Sequence, residues 1–257
     1  MVVVNKEVCT GCGSCVADCI SMSLSIKEGK AEYNGSCIHC GHCVAICPVN
    51  AVSIPDYDMA EVEPAAQSGL VPEEELLRLI KSRRSIRRYR EKRIPREQLD
   101  MIINAGRYTA TGSNLQACRF ILVQDALDQL KSFVWDGVGQ ALRSGMKEAQ
   151  PLKGLWDLRE ARGIDYLFRS APAVLYIAAE NQWDAGMAAQ NMELVAVSQG
   201  LGGLYNGFLL RSTMLSEPAK DLLRLEGKPL ATCMLLGYPD VHYPRTAPRK
   251  KADAVWL

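Results

Sequence analysis

The sequence lacks several things that would each point to a class of protein. Charge of one sign is missing: 30 Lys and Arg stand against 29 Asp and Glu in 257 residues, a formal net charge of +1. Net charge therefore suggests neither a nucleic-acid nor an anionic-membrane partner. No apolar run reaches the roughly 18 residues that a membrane-spanning helix needs. The opening MVVVNKEVC has no long apolar stretch and no cleavage site, so it does not read as a signal peptide. A dinucleotide fingerprint is missing too. Gly200-x-Gly202-Gly203 lacks the last glycine and follows a helical pattern rather than a strand, and Gly137-x-Gly139 fails in the same way. No side chain stands out as a catalytic acid or nucleophile.

Cysteine is abundant instead. Eight of the ten cysteines lie between Cys9 and Cys47, in two copies of one pattern. Cys9, Cys12, Cys15 and Cys19 form the first copy; Cys37, Cys40, Cys43 and Cys47, followed by Pro48, form the second. Both read C-x2-C-x2-C-x3-C, the run that holds iron–sulfur clusters in bacterial ferredoxins. Three closely spaced thiolates wrap three corners of a cubane, and the fourth cysteine of each run serves the other cluster. The ligand sets are therefore Cys9, Cys12, Cys15 and Cys47 for one [4Fe–4S] cluster, and Cys37, Cys40, Cys43 and Cys19 for the other. A disulfide scaffold would need a secreted chain, and a zinc ribbon uses separated ligand pairs. Free thiolate ligands suit a reducing cytoplasm. The stretch resembles a bacterial two-cluster ferredoxin over residues 1–57, with Ile20 where ferredoxins often have proline. Gly11, Gly13, Ser14 and Gly41 are small enough to let backbone amides approach cluster sulfurs. Such hydrogen bonds help set the potential. His39 and His42 read as solvated or outer residues, because four cysteines already suffice.

Val2–Val4 reads as a short strand, and Leu24–Ile26 with Lys30–Tyr33 as a hairpin split by Glu28-Gly29. Ala51–Ile54 closes the small domain as its last strand. Residues 55–72 change character: Pro55, Pro64, Gly69 and Pro72 interrupt them, and Asp56, Asp58, Glu61 and Glu63 make them acidic. Residues 58–71 are read as a linker. Pro72 and Glu73 to Glu75 fit the first turn of a helix, with Leu76, Leu77 and Ile80 as its apolar stripe. The helix runs into Lys81-Ser82-Arg83-Arg84-Ser85-Ile86-Arg87-Arg88-Tyr89. A strip this basic is a solvated face, a nucleic-acid patch or a phosphate pocket; composition favours the solvated face.

Arg83 to Tyr89 resembles the opening motif of the nitroreductase family of FMN enzymes. In that family the arginine, the serine and the following basic residue of R-x-S-x-R/K hold the FMN phosphate. The resemblance gives that role to Arg83, Ser85 and Arg87. A helix over about Arg96–Arg107 leads to Thr111-Gly112-Ser113-Asn114-Leu115-Gln116, similar to a family loop that meets the flavin bound mainly by the other subunit. Thr111, Gly112, Asn114 and Gln116 take its cofactor positions, while Ala110 and Ala117-Cys118 replace the family's proline and Pro-Trp. The runs Asp184 to Met192, Gly200 to Gly203 and Leu204 to Phe208 resemble the family as well, with Asn206 and Gly207 placed beside flavin N5 and O4. Arg249, and after it Lys251, match basic tail residues that reach the FMN phosphate. Ala252 to Leu257 resembles an arm laid across a partner subunit.

Phe120–Val123, Ala173–Ala179 and Leu230–Gly237 read as apolar strands, with Cys233 as core and Cys118 as a loop thiol. Residues 126–168 are helical in propensity, broken by Gly137, Gly139, Pro151 and Gly154. The resemblance makes this the variable cover of the flavin, where substrate choice is set. Trp135, Trp156 and Tyr166 are its candidate pocket side chains, with ordinary packing as the plainer role. Asp184 caps a helix that runs to Gln199 and ends at Gly200.

The whole reads as an α+β chain. A ferredoxin-like two-cluster domain (1–57) and a linker (58–71) precede a nitroreductase-like α/β/α sandwich with a mainly antiparallel sheet (72–257). The resemblance implies a homodimer with FMN sites at its interface and a small-molecule electron acceptor such as a nitroaromatic or a quinone. The implied donor is an external ferredoxin or NAD(P)H, the latter stacking on the flavin without a dinucleotide fold. Clusters carry one electron each and reduced flavin delivers a hydride, so the flavin would couple the two. The competing readings are a non-catalytic electron carrier or redox sensor, and a superfamily reductase of enones or halogenated phenols.

Overall fold

A computed structural model describes residues 1–65 and 71–257. The chain divides into two compact units: Met1–Leu70 with Thr111–Leu115, and Val71–Ala110 with Gln116–Leu257.

In the first unit, β1 (Val3–Val4) is followed by α1 (Ser14–Ala17), β2 (Leu24–Lys27), β3 (Lys30–Tyr33), α2 (His42–Ala45) and β4 (Val52–Ser53). The first and last strands pair antiparallel, Val3 opposite Ser53. β2 and β3 form an antiparallel hairpin. Glu28 and Gly29 both carry positive φ, 50° and 73°, as a two-residue type I′ turn requires. The helices are single turns entered in the same way, through Gly13 at φ 78° and Gly41 at φ 79°. Val2, Leu24, Ala31, Ala51, Val52 and Ile54 make most of the core around them. So small a core is marginal for a unit of this size. Within the acidic stretch, Met59–Glu61 forms a 3-10 turn capped by Asp58. Residues 66–70 of the expected linker, Gly69 among them, lie outside the described residues.

The second unit holds α3 (Glu73–Ser82), α4 (Arg96–Arg107), β5 (Arg119–Val123), α5 (Leu127–Arg143), α6 (Lys153–Arg162), β6 (Ala173–Ala178), α7 (Gln182–Ser198), β7 (Gly202–Tyr205), α8 (Gly207–Met214), α9 (Glu217–Leu223) and β8 (Leu230–Gly237). The four strands form one sheet in the order β5-β6-β8-β7, and every neighbouring pair is antiparallel. Side chains alternate across it, as the strand period of two demands. Val174, Tyr176, Cys233 and Leu235 face one apolar cluster with α5, α8 and α9. Ala173, Leu175, Ile177, Met234 and Leu236 face the other with α4 and α7. The result is the expected α/β/α sandwich, with β6 buried along its whole length.

Three local expectations change. Gly137 and Gly139 do not break α5; they lie inside it because neighbours need their missing side chains. A Cβ on Gly139 would come within 2.4 Å of the Trp156 ring, and one on Gly137 within 2.7 Å of Ser216 Cβ. The chain leaves α5 at Gly145, φ 74°, and passes through a 3-10 stretch, Lys147–Leu152, that holds the expected Pro151; Gly154 lies inside α6, which ends at Gly163, φ 66°. The cap of α7 is Asn181, whose side chain accepts the Trp183 N–H at 2.9 Å; Asp184 is inside the helix and buried. Strand β7 and helices α8 and α9 were not foreseen. Trp135 is core, tilted against Trp156 at 6.2 Å with Arg159 over both rings. Among the described residues no helix is long and apolar enough to cross a membrane.

Candidate functional site

The cysteine runs are assembled by their glycine-entered turns. Cys9, Cys12, Cys15 and Cys47 line one small cavity, so three sulfurs of the first run meet the last of the second. Cys43 has the Cys37 and Cys40 thiols as its neighbours. Cys19 is tied to that arm through Ser23, whose N–H donates to Cys19 Sγ at 3.3 Å and whose hydroxyl bonds the Ser36 carbonyl.

Backbone amides aim at the sulfurs in a repeated pattern. Ala31 N–H donates to Cys9 at 3.4 Å, His39 N–H to Cys37 at 3.3 Å, and Ala51 N–H to Cys47 at 3.1 Å. The Ala31 and Gly11 amides hold the Cys9 thiol below its usual range, and the Ser14 hydroxyl does the same for Cys12. Burial pushes Cys15 up and Cys43 to about 11, with neighbouring thiols adding to both shifts. Such crowded, buried thiolates need a cationic partner, and the amide donors suit cluster sulfur. Among the described residues no three metal-binding side chains converge as on a single ion; a cubane holds its thiolates apart by its own width. Gly11 is forced by space: a Cβ there would sit 2.0 Å from the Gly29 carbonyl oxygen.

In the second unit the basic strip lies against the sheet edge. Ile86 N–H donates to the Gly203 carbonyl at 2.9 Å, and Tyr89 bridges Pro239. Ile86 and Tyr89 are buried, leaving Arg87 and Arg88 exposed and Ser85 half-buried. Arg83 is partly buried: its side chain is 25% exposed and its Nη1 lies 3.0 Å from Glu193, which is 1% exposed. Arg84 stacks over Tyr243 of the tail at 5.8 Å. Arg169 sits over the Tyr166 ring at 4.7 Å. Burial, and next the Arg87 charge, lower its pKa, so two guanidinium groups stand near each other. Arg169 and Ser170 both have left-handed backbone, φ 52° and 58°. Neither Arg169 nor Glu193 was identified from the sequence.

Asn206 is buried and caps α8. Its amide donates to the Leu167 carbonyl at 2.7 Å and its Oδ1 accepts the Leu209 N–H at 2.9 Å. Gly207 follows at the head of the helix. Cys233, at the Asn206 carbonyl, is pushed up to about 12 by burial. Thr111 and Gly112 lead into a 3-10 turn, Gly112–Asn114; Thr111–Leu115 belongs to the first unit and Gln116 to the second. Asn114 Nδ2 donates to the His39 carbonyl at 2.9 Å and the Ile38 carbonyl at 3.2 Å. Arg249 donates to the Pro248 carbonyl. Among the described residues no bond ties Arg249 or Lys251 to Arg83, Ser85 or Arg87. An open cleft of about 530 Å³ runs along α7, lined by Thr109, Trp183, Met187 and Asn191. Trp183 is 83% exposed beside it.

The 4Fe-4S dicluster domain model matches residues 1–58. No curated protein matches the chain. A solved nitroreductase with bound FMN from Bacteroides fragilis is 24% identical, with a TM-score of 0.58 over 71% of this chain and 98% of that one. An FMN-dependent nitroreductase from Clostridium difficile is 22% identical, with a TM-score of 0.55 over 72% and 100%. Iodotyrosine deiodinase bound to FMN and 3-iodo-L-tyrosine is 19% identical, with a TM-score of 0.52 over 71% and 98%. At these identities the structures speak for the fold, which by itself selects no activity. The Nitroreductase family model matches residues 80–238, more than half the sequence and the part that carries Arg83, Ser85, Arg87 and the four-stranded sheet, so the chain belongs to the nitroreductase family.

Proposed function

We propose that the chain is an FMN-dependent oxidoreductase that accepts single electrons at two [4Fe–4S] clusters and reduces a small acceptor such as a nitroaromatic or a quinone. One observation carries the electron route. The loop Thr111–Leu115 lies inside the family-matched sequence yet folds with the cysteine-bearing unit. Bound FMN supplies the exchange between one-electron and two-electron chemistry. The protein's part is to hold and orient it. Arg83, Ser85 and Arg87 would take the phosphate, with Arg249 and Lys251 arriving from the tail. Arg169 adds a guanidinium beside Arg87, and such groups match phosphate oxygens in a fork. Glu193 would fix the Arg83 side chain from behind.

Thr111, Gly112 and Gln116 would face the ring system, as would Asn206 and Gly207; the Asn114 side chain is committed to the His39 and Ile38 carbonyls, so it would hold this loop rather than touch the ring. Because the Asn206 side chain is committed to Leu167 and Leu209, its contribution is to set the head of α8. Main-chain N–H groups there stabilise developing negative charge. The assembly is a homodimer with flavin sites at its interface, supported by the exposed apolar face of α3. The donor is a low-potential ferredoxin, or NAD(P)H at the flavin directly.

Two measurements test this. Anaerobically purified protein should hold about eight irons per chain, from two cubanes, together with FMN. Rapid mixing with reduced ferredoxin should then reduce the flavin more slowly in Cys37→Ala than in wild type. Equal rates would make the clusters bystanders, and zinc in place of iron would remove them altogether.

A further inference from the structure

The two cysteine runs fold alike but are not held alike. Position 11 in the first run corresponds to position 39 in the second, each two residues after its leading cysteine. Both have left-handed backbone, Gly11 at φ 69° and His39 at φ 53°. Glycine takes that conformation freely, whereas a histidine there is strained by about 1–3 kcal/mol and persists only where its surroundings hold it.

What holds His39 is visible. Its N–H donates to Cys37 Sγ at 3.3 Å. Its carbonyl accepts from Tyr57 Oη at 3.0 Å and from Asn114 Nδ2 at 2.9 Å. The same amide group of Asn114 donates to the Ile38 carbonyl at 3.2 Å and lies 3.4 Å from Tyr57 Oη. Two carbonyl acceptors fix which end of Asn114 is the NH₂. The Tyr57 ring meets the His39 ring edge-on at 6.5 Å. Asn114 and the preceding Ser113 are left-handed as well, φ 54° and 50°. Their loop is thus bent to present the amide.

We propose that Asn114 and Tyr57 are positioning residues for the cluster of Cys37, Cys40, Cys43 and Cys19, and that they raise its reduction potential through the two peptide groups on either side of His39. The Asn114 bond to the Ile38 carbonyl polarises the Ile38–His39 peptide, so the His39 N–H in that peptide becomes a stronger donor to Cys37. Tyr57 and Asn114 on the His39 carbonyl fix the next peptide plane, and so hold the left-handed turn at His39 that aims its N–H at the sulfur. An N–H···S bond stabilises the extra negative charge of the reduced cluster and so favours reduction. The segment Thr111–Leu115 that carries Asn114 is flanked in sequence on both sides by residues of the other unit. Any displacement of its loop would therefore be read as a change in this cluster's potential. The proposal rests on the two-cluster reading above.

The test is an EPR-monitored redox titration of the full-length anaerobic protein in wild type, Asn114→Ala and Tyr57→Phe. Wild type should show two midpoints. One of them should fall in both variants, further in Asn114→Ala, and it should be the one missing from Cys37→Ala. The other midpoint and the iron content should not move. Unchanged midpoints at full iron content would overturn the assignment while leaving the clusters in place. If Asn114→Ala loses iron, Tyr57→Phe decides alone, since it removes only a hydroxyl. No iron–sulfur signal in wild type would overturn the cluster reading, and this one with it.

Discussion

Arg83 and Glu193 show how a residue proposed for the flavin site can also be tied into the fold. Glu193 is 1% exposed and has Arg83 at 3.0 Å, with Gln190 3.4 Å from its other oxygen. Removing one partner of a buried pair leaves an uncompensated charge and costs roughly 3–5 kcal/mol. Arg83→Ala should therefore lose stability on that scale, while the exposed Arg87→Ala should shift it by less than about 0.5 kcal/mol. Both should release FMN more readily. Replacing the pair together, Arg83→Met with Glu193→Met, should recover most of the stability but not the FMN. Urea unfolding and flavin-release fluorescence separate these effects. An Arg83→Ala as mild as Arg87→Ala would mean that the pair does not hold Glu193. The sequence made Arg83 legible through its motif, but not Glu193. A signal was there: Glu193 follows Ala185 and Ala189 at four-residue spacing, a charge on the buried face of α7. Arg169 offered none, since its approach to Arg87 depends on a loop that no periodicity describes.

At the scale of elements, α5 and α6 carry glycines of opposite meaning. Alanine is worth up to about 1 kcal/mol over glycine in a helix. At Gly139 the added methyl would meet the Trp156 ring at 2.4 Å, whereas at Gly154 nothing lies within 4 Å. Overpacking costs about 1–3 kcal/mol. Gly139→Ala should thus lower the melting temperature and Gly154→Ala should leave it level or raise it, as calorimetry would show; a rise at both positions would refute the packing account. From composition the two look the same, which is why both appear to be helix breakers in the sequence. Long periodic elements were readable: α4 and β8 fall where the pattern places them, and the hairpin at Glu28-Gly29 follows from its turn residues. β7, only four residues and half of them glycine, carries too little pattern to be seen. α8 and α9 follow it closely and are short. The α7 cap was misplaced because Asn181 and Asp184 are both good capping residues, and only geometry chooses between them.

For the whole molecule, the apolar face of α3 is the feature with the widest consequence. Leu76, Leu77 and Ile80 are 42%, 48% and 45% exposed, and Trp256 in the tail is 94% exposed. Apolar surface gathered in this way marks an association face. The double variant Leu77→Glu with Ile80→Glu should sediment as a monomer and retain less FMN. A dimer that keeps its flavin would place the interface elsewhere. The order of the two halves was legible from the cysteine runs and the Arg83 motif. That residues 111–115 fold with the cysteine-bearing unit was not, because they look like ordinary loop inside the second half. This discontinuity bears on biosynthesis. As the chain leaves the ribosome, the cysteine-bearing unit cannot complete its contacts when the second cysteine run has emerged; it must wait for Asn114. Cluster insertion can begin early, but the His39 peptide acquires its final restraint only after α3 and α4 have been made. A fragment cut after residue 65 would therefore be an immature form of the unit rather than a separable ferredoxin.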